Sequence, residues 1–277
     1  MKKYAFLMML AITAGFFQSC QQDEVVEPEQ RVAPELPKQE MLIMPFRAFE
    51  DLDTNGIVRE DPLTKDMDSY HNWFHSAVNV FVWNTAVTVN MALPVLGFFE
   101  SFNHQPIYAG NGVFQWIYDV QTGNDVYFIV LSGQYVSGDI HWEMKASKLG
   151  GFTDVIWYSG VVSGDGSGAT WTLNHKPNNP EPYLSVTYSK DVNGNFESIR
   201  YTNIIPGHVD NGDYIEYRVD DPSAGFNRAY DVYGGNANDF IEIRWNEPTR
   251  EGQVKHPGHF DDNNWHCWGM DLIDTDC

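Results

Sequence analysis

The feature that most constrains the fold is a series of short runs, between Val113 and Leu272, in which apolar and polar residues alternate. Each run has the length and the two-residue period of a β-strand with one buried face. Residue pairs that contain Gly separate the runs and permit the positive φ angles of hairpin turns, as in Gly123-Asn124 and Asn193-Gly194. The pattern predicts a mainly β fold, an antiparallel meander of about 10–12 strands closed as a barrel or a sandwich.

A helical segment is expected before these strands. Its strongest part runs from Tyr70 to Leu93, and Pro94 and Gly97 are expected to end it. Most of its surface is apolar, so we expect the helix to be largely buried, covering the open side of the sheet. Its content of Val and Thr leaves a pair of strands as the alternative.

The N-terminus predicts export and lipidation. Lys2 and Lys3 precede an apolar run from Tyr4 to Phe17, and Ser19 stands directly before Cys20. This is the layout of a bacterial secretory signal that ends at a lipidated cysteine. The alternative, a membrane-spanning anchor, needs roughly 20 apolar residues, more than this run contains.

This leader divides the chain into three parts. We expect residues 1–19 to be removed as a signal peptide and residues 20–40, acidic and rich in proline, to form a disordered tether. Residues 41–277 then form a single β-rich domain, with a helical lead-in at 41–104 and the antiparallel sheet at 105–277.

The strong negative charge restricts the partners. Without Lys2 and Lys3 the chain keeps 15 basic residues against 38 acidic ones, a net charge of about −23. Nucleic acids and anionic lipid head groups are bound through Lys and Arg patches, so neither is an expected partner. Solubility and the binding of cations such as Ca²⁺ are the two interpretations that remain.

The stretch Gln21-Gln22-Asp23-Glu24 after Cys20 resembles the surface-display signals of lipoproteins from Bacteroidetes. Other segments are similar to uncharacterised lipoproteins of that group: Ala92-Leu93-Pro94-Val95, Glu100-Ser101-Phe102-Asn103-His104, Gly150-Gly151-Phe152-Thr153, Trp157-Tyr158, Trp265-His266-Cys267-Trp268 and Asp276-Cys277. The resemblance covers most of residues 70–277. It implies a lipid-anchored outer-membrane protein that faces the cell exterior, and it carries no assigned activity.

With Cys20 used for lipid, Cys267 and Cys277 are left as an even pair in an oxidising compartment. We expect a structural disulfide between them. The alternative, a redox or metal site, lacks a Cys-x-x-Cys pair or a second ligand cluster.

Two patterns suggest metal ions. Asp51, Asp53 and Asn55 alternate on a loop that turns at Gly56, and the carbonyl of Ile57 would add a further oxygen ligand for Ca²⁺. The match to an EF-hand loop fails at its twelfth position, where Pro62 stands, so a plain turn is the alternative.

Histidines form the second pattern. His71 and His75 have the i, i+4 spacing that grips a transition metal on a helix, but Asn72 replaces the Glu of a metalloprotease motif. Hydrogen-bonded or exposed helix histidines are the alternative. A polar cluster near the C-terminus is interpreted either as a loop beside the disulfide or as a metal or ligand site: His256, His259, Asp261, Asp262 and His266.

Aromatic residues are the remaining excess, at 14% of the chain. Most should fill the core, but Trp142, Trp171, Trp265 and Trp268 lie beside polar residues and are candidates to bind the apolar face of a sugar. No catalytic motif appears, and we do not expect an enzyme. The sequence therefore predicts an exported binding protein for extracellular glycan. The alternatives are a barrel that binds a small apolar ligand, a component of a surface complex, and a hydrolase.

Overall fold

Fourteen antiparallel strands form one meander in which neighbours in the chain are neighbours in the sheet. A computed structural model describes residues 32–49, 69–236 and 238–277. The strands are β1 (Ile107–Gly110), β2 (Val113–Thr122), β3 (Asp125–Val136), β4 (Asp139–Lys148), β5 (Val155–Val162), β6 (Gly168–His175), β7 (Glu181–Lys190), β8 (Phe196–Asn203), β9 (Tyr214–Val219), β10 (Arg228–Gly234), β11 (Asp239–Trp245), β12 (Gly252–Lys255), β13 (His266–Trp268) and β14 (Asp274–Thr275). The predicted β meander is confirmed. β1 and β14 are the two ends of the sheet and do not pair with each other in the described chain.

The turns follow the expected chemistry. Thr122 pairs with Asp125 across Gly123-Asn124, and Gly123 has a φ of 60°. Val136 pairs with Asp139 across Ser137-Gly138, where both residues have positive φ angles. Two-residue turns of this kind match the twist of the strands that they join.

Tryptophans on the inward face of the sheet lie opposite glycines of the neighbouring strands. A Cβ on Gly160 would lie 2.2 Å from the ring of Trp171, so only glycine leaves room for that indole. The cross-strand pairs are Gly133–Trp142, Gly160–Trp171 and Gly252–Trp268. These three tryptophans are at most 2% exposed. The expectation that Trp142, Trp171 and Trp268 bind a ligand is therefore corrected: each is a core residue that fills the space above a glycine.

Residues 33–49 cross the inward face of the sheet. The indole N–H of Trp171 donates to the carbonyl of Met41 at 2.8 Å, and the hydroxyl of Tyr201 donates to that of Leu42 at 2.8 Å. Pro34 and Pro37 are buried as well. The packed unit, Ala33–Cys277, thus begins before the boundary expected at residue 41, because these prolines pack on the sheet.

Near the start of the expected helical lead-in, residues Arg47–Phe49 form a single 3₁₀ turn, which follows Phe46 directly. Both rings are buried and contact Tyr230. Cys20 and the proposed calcium ligands Asp51, Asp53, Asn55 and Ile57 lie outside the described residues.

Helix α1 (His71–Ser101) connects the two ends of the sheet, because it contacts β2 and also β12, β13 and β14. It continues through Pro94 and Gly97, so the expected end at Leu93 is corrected. Pro94 bends the helix instead: its ring clashes with the carbonyl four residues earlier, and the axes of residues 71–88 and 91–101 differ by 71°. Gly97 allows close packing, since a Cβ there would lie 3.0 Å from Met144.

Polar residues near the start of α1 face the protein, and part of the apolar surface of the helix faces outward. Asn72 and Ser76 are buried, whereas Phe81 and Val82 are 55% and 60% exposed. The expectation of a largely buried apolar helix is therefore wrong for this side. Within the described residues no single helix has the length and composition to span a membrane, although the two limbs of α1 taken together as a bent pair meet those criteria.

The predicted disulfide is confirmed: Cys267 of β13 is joined to Cys277, with their Cα atoms 5.2 Å apart. Asn72 of α1 donates from its side chain to the carbonyl of Cys267 at 2.9 Å. Its backbone N–H donates to the carboxylate of Asp274 at 3.0 Å. Asp274 thus caps the start of the helix from a distant part of the chain, where a carboxylate is also favoured by the helix dipole.

Candidate functional site

An open groove of about 630 Å³ lies on the outward face of strands β2 to β6, and we call it the outer groove. Its main row of side chains comes from five neighbouring strands in register: Gln115, Ser132, Glu143, Ser159 and Thr172. They point outward because they alternate with buried residues such as Leu131 and Leu173. A second row, Gln134, His141, Val161 and Thr170, runs beside the first.

The polar groups of the outer groove are only partly used within the protein. Gln115 donates to the hydroxyl of Ser132 at 3.2 Å, and Lys145 pairs with Glu143 at 3.0 Å. The hydroxyls of Ser159 and Thr172 make no side-chain hydrogen bond with the described residues. They are half-buried and remain able to donate to and accept from a ligand.

A smaller pocket of about 210 Å³ lies near the start of α1. Trp73, Trp245 and Trp268 line it together with Phe49, and charged side chains of Arg47, Glu247 and Arg250 complete the lining. The three indoles are at most 4% exposed, so they contribute little open surface to a ligand.

Trp265 is the one predicted sugar-binding tryptophan outside the core, and it is half-buried. The guanidinium of Arg244 lies over its ring at 4.7 Å. A cation over the face of an indole is an attractive pairing, so this ring face is already covered by the protein's own side chain.

The two histidine patterns of the sequence come together in the structure. His71 and His75 of α1 meet His256 and His259 of the segment around the short helix α2 (Pro257–Phe260), and we call these four residues the histidine cluster. Nε2 of His75 lies 2.8 Å from Nδ1 of His256, and Nε2 of His71 lies 3.1 Å from Nε2 of His259. The rings of His75 and His259 stack with their centroids 3.9 Å apart.

Burial, and next the positive charges that His259, His256 and His71 can carry, together lower the pKa of His75 to about 3. Burial and the neighbouring histidines also lower the pKa of His259. Both rings are therefore neutral at pH 7, and each has a nitrogen lone pair.

His266 and Asp261 are not members of the histidine cluster. His266 bonds to Asp262 at 3.1 Å and stacks on Phe260. Asp261 is exposed and adopts a left-handed backbone at the end of α2. Sequence reasoning missed Asp239, whose carboxylate oxygens lie 2.7 and 2.8 Å from Nε2 of His256, because only the strand register brings them together.

No protein-family model matches this chain, and no curated protein or solved structure shows significant similarity to it. The resemblance to lipoproteins of Bacteroidetes therefore stays a prediction.

Proposed function

We propose that this protein is an exported, lipid-anchored binding protein whose outer groove takes an extracellular glycan. The observation that carries the proposal is the row Gln115, Ser132, Glu143, Ser159 and Thr172, with one polar side chain from each of five neighbouring strands. Neighbouring strands lie about 4.8 Å apart, which is comparable with the length of one sugar residue in a linear chain. A glycan that crosses the strands would thus meet a hydrogen-bonding group at each unit.

The chemistry of the groove also fits a polyhydroxylated ligand. Amide, hydroxyl and carboxylate groups supply both donors and acceptors. A groove of about 630 Å³ falls within the range of small-molecule sites, roughly 300–1,000 Å³. The proposal keeps the ligand class expected from the sequence, but it moves the binding residues from the tryptophans to the polar row.

The test is retention of the full chain on an array of bacterial, plant and host polysaccharides. We expect retention on at least one glycan and a loss of about 30-fold in affinity for Ser159→Ala/Thr172→Ala, since two neutral hydrogen bonds of about 1 kcal/mol each are lost. The matched control is Thr187→Ala/Thr202→Ala, which removes two hydroxyls from β7 and β8 outside the groove. Absence of retention on every glycan, or an equal loss in the control, would overturn the proposal.

Export and anchoring depend on Cys20, and a separate experiment tests them. We expect Cys20→Ala to release the protein from the envelope fraction, because acyl chains are the proposed anchor. Firm attachment of this variant would contradict a lipid anchor and an outer-membrane location.

The proposed Ca²⁺ loop is checked by measuring the melting temperatures of the wild type and of Asp53→Ala with and without chelator. Equal melting temperatures would contradict the loop.

A role in a surface protein complex is the second candidate. The exposed apolar side chains of α1 favour it: Phe74, Val78, Phe81 and Val82 are 41–60% exposed. We expect Phe81→Glu/Val82→Glu to abolish any co-purifying envelope partner found by cross-linking, while Ser159→Ala/Thr172→Ala keeps it. The alternative of an apolar ligand inside a barrel gains no support, because residues 33–49 and the tryptophans fill the inward face of the described sheet.

A further inference from the structure

The histidine cluster joins two segments that are far apart in sequence. His71 and His75 lie one turn apart at the start of α1, while His256 directly precedes α2 and His259 lies within it. Measured between ring centroids, His75 lies 5.0 Å from His256 and 3.9 Å from His259, and His71 lies 5.0 Å from His259. Four imidazoles held on a common tetrahedral Zn²⁺ would have centroids about 5 Å apart, given Zn–N bonds of about 2.0–2.1 Å.

Asp239 orients the ring of His256 in the way that a carboxylate orients a metal-binding histidine. Its carboxylate accepts from Nε2–H of His256, which leaves Nδ1 of that ring as the lone-pair nitrogen. Nδ1 points at His75, 2.8 Å away. Histidines that bind metals usually donate their other N–H to a carboxylate or carbonyl in this manner. His256 is also buried, so its orientation is fixed by packing.

The nitrogens of the cluster currently face each other in pairs. The separations of 2.8 and 3.1 Å are hydrogen-bond distances. Two nitrogens on one tetrahedral Zn²⁺ lie about 3.3 Å apart, so the nitrogens of each pair have to separate by a few tenths of an ångström, and the rings have to turn until the four lone pairs face one point. As the side chains stand, no group of three or more His, Cys, Asp or Glu residues in the described chain already surrounds an ion position. His71 and His259 are exposed.

The surrounding structure holds the two segments in place. Asn72, between the helix histidines, is bonded to Cys267 and Asp274, and Cys267 is tied to Cys277 by the disulfide. Asp239 lies at the start of β11 and fixes His256 at the end of β12. The ligands therefore come from a preformed frame, which reduces the ordering that binding requires.

We propose that the histidine cluster binds one divalent transition-metal ion of the Zn²⁺ class through His71, His75, His256 and His259, with Asp239 as the positioning residue behind His256. Neutral imidazoles are ligands for Zn²⁺, Cu²⁺ and Ni²⁺, whereas Ca²⁺ and Mg²⁺ prefer oxygen. The site is structural in character, since four protein ligands would fill a tetrahedral ion. It clamps the start of α1 to the end of the sheet and is independent of the outer groove.

The test uses the full chain without a polyhistidine tag, after dialysis against a chelator. Titration with Zn²⁺ followed by calorimetry should give one equivalent, and Co²⁺ should give the visible absorption bands of a tetrahedral complex. We expect His75→Ala and His256→Ala to lower the affinity for Zn²⁺ by at least 100-fold. Asp239→Asn should lower it about 10–100-fold, as is usual when a ligand loses its supporting carboxylate.

The matched control is His208→Ala, which removes an exposed histidine far from the cluster in sequence. It should leave Zn²⁺ binding unchanged, as should Asp53→Ala in the proposed calcium loop. Because His256 is buried, the exposed His71→Ala and His259→Ala are measured as well, with far-UV dichroism to confirm folding. Failure of the folded wild type to bind Zn²⁺ stoichiometrically, or full affinity in both exposed variants, would overturn the proposal.

Discussion

The outward face of the sheet is used differently in its two halves. Over β2 to β6 the outer groove presents mainly hydroxyl and amide groups, and several have no partner side chain among the described residues. Over β8 to β12 the same face carries an ion-pair network: Arg200–Glu216 at 2.7 Å, Arg218–Asp231 at 2.8 Å and Arg244–Glu242 at 3.2 Å. Both halves have the same strand geometry and the same alternation of buried and outward residues.

This difference shows where a ligand can bind with the least competition. The guanidinium of Arg218 is already bonded to Asp220 and Asp231, so a ligand would have to break strong charge-assisted bonds to reach it. Burial lowers the pKa of Arg218, but the bonds to Asp231 and Asp220 outweigh burial, so the net pKa is raised. The hydroxyls of Ser159 and Thr172 have no such bonds to lose among residues 32–49, 69–236 and 238–277.

The largest loss of stability should occur in both halves of the sheet, because in each half a buried tryptophan packs against a glycine of the neighbouring strand. We expect Gly160→Val and Gly252→Val each to lower the free energy of unfolding by about 3 kcal/mol or more, since the new Cβ would lie 2.2 Å from Trp171 or Trp268. Urea denaturation measures the loss. Gly234→Ala, where the nearest atom is 4.0 Å away, is the matched control. Unchanged stability in either valine variant would show that the inward layer is not closely packed.

The second-largest loss of stability should differ between the two halves of the sheet. Arg218→Ala leaves the carboxylates of Asp220 and Asp231, 11% and 14% exposed, without their shared cation. We expect a loss of about 2 kcal/mol of unfolding free energy, less than for a fully buried pair because the arginine is 25% exposed. Thr170→Ala in the outer groove should change stability by no more than about 0.5 kcal/mol. Equal losses of unfolding free energy in Arg218→Ala and Thr170→Ala would contradict the proposed difference between the two halves of the sheet.

A third, smaller effect concerns Trp142, which lies beneath the outer groove. Its indole N–H is buried and has no acceptor among the described residues. Trp142→Phe removes that unpaired donor along with some volume, so we expect a net loss of about 1 kcal/mol. Glycan retention on the array should stay at the wild-type level. A fall in retention comparable with that of Ser159→Ala/Thr172→Ala would return Trp142 to the ligand site.

The smallest effect is expected for the groove hydroxyls themselves. Ser159→Ala/Thr172→Ala should leave the free energy of unfolding within about 0.5 kcal/mol of wild type, because these hydroxyls make no side-chain hydrogen bond within the described part of the chain. Thermal denaturation beside the glycan array distinguishes lost binding from lost folding. Destabilisation by 2 kcal/mol or more would show that the groove residues serve the fold.

The strands were predictable because each carries its own local signal. The buried positions of β2, Phe114, Trp116 and Tyr118, alternate with outward residues as the sequence pattern indicates. The disulfide followed from the parity of the cysteines. The end of α1 was not predictable from Pro94, because packing on the sheet stabilises a bent helix beyond it. Sequence also could not assign Trp142 and Trp171 to the core, since the glycines that accommodate them lie on neighbouring strands.

The sequence by itself determined the class of fold, since alternation and turn residues act over a few positions and need no distant partner. Tertiary structure alone decided which polar groups share a site. The histidine cluster brings residues 71–75 next to residues 256–259, and the folding of the sheet places Asp239 beside His256. The outer groove is a row of side chains that forms only when five strands pair in register. Such sites depend on the distance between side chains in space, and the order of residues along the chain does not set that distance.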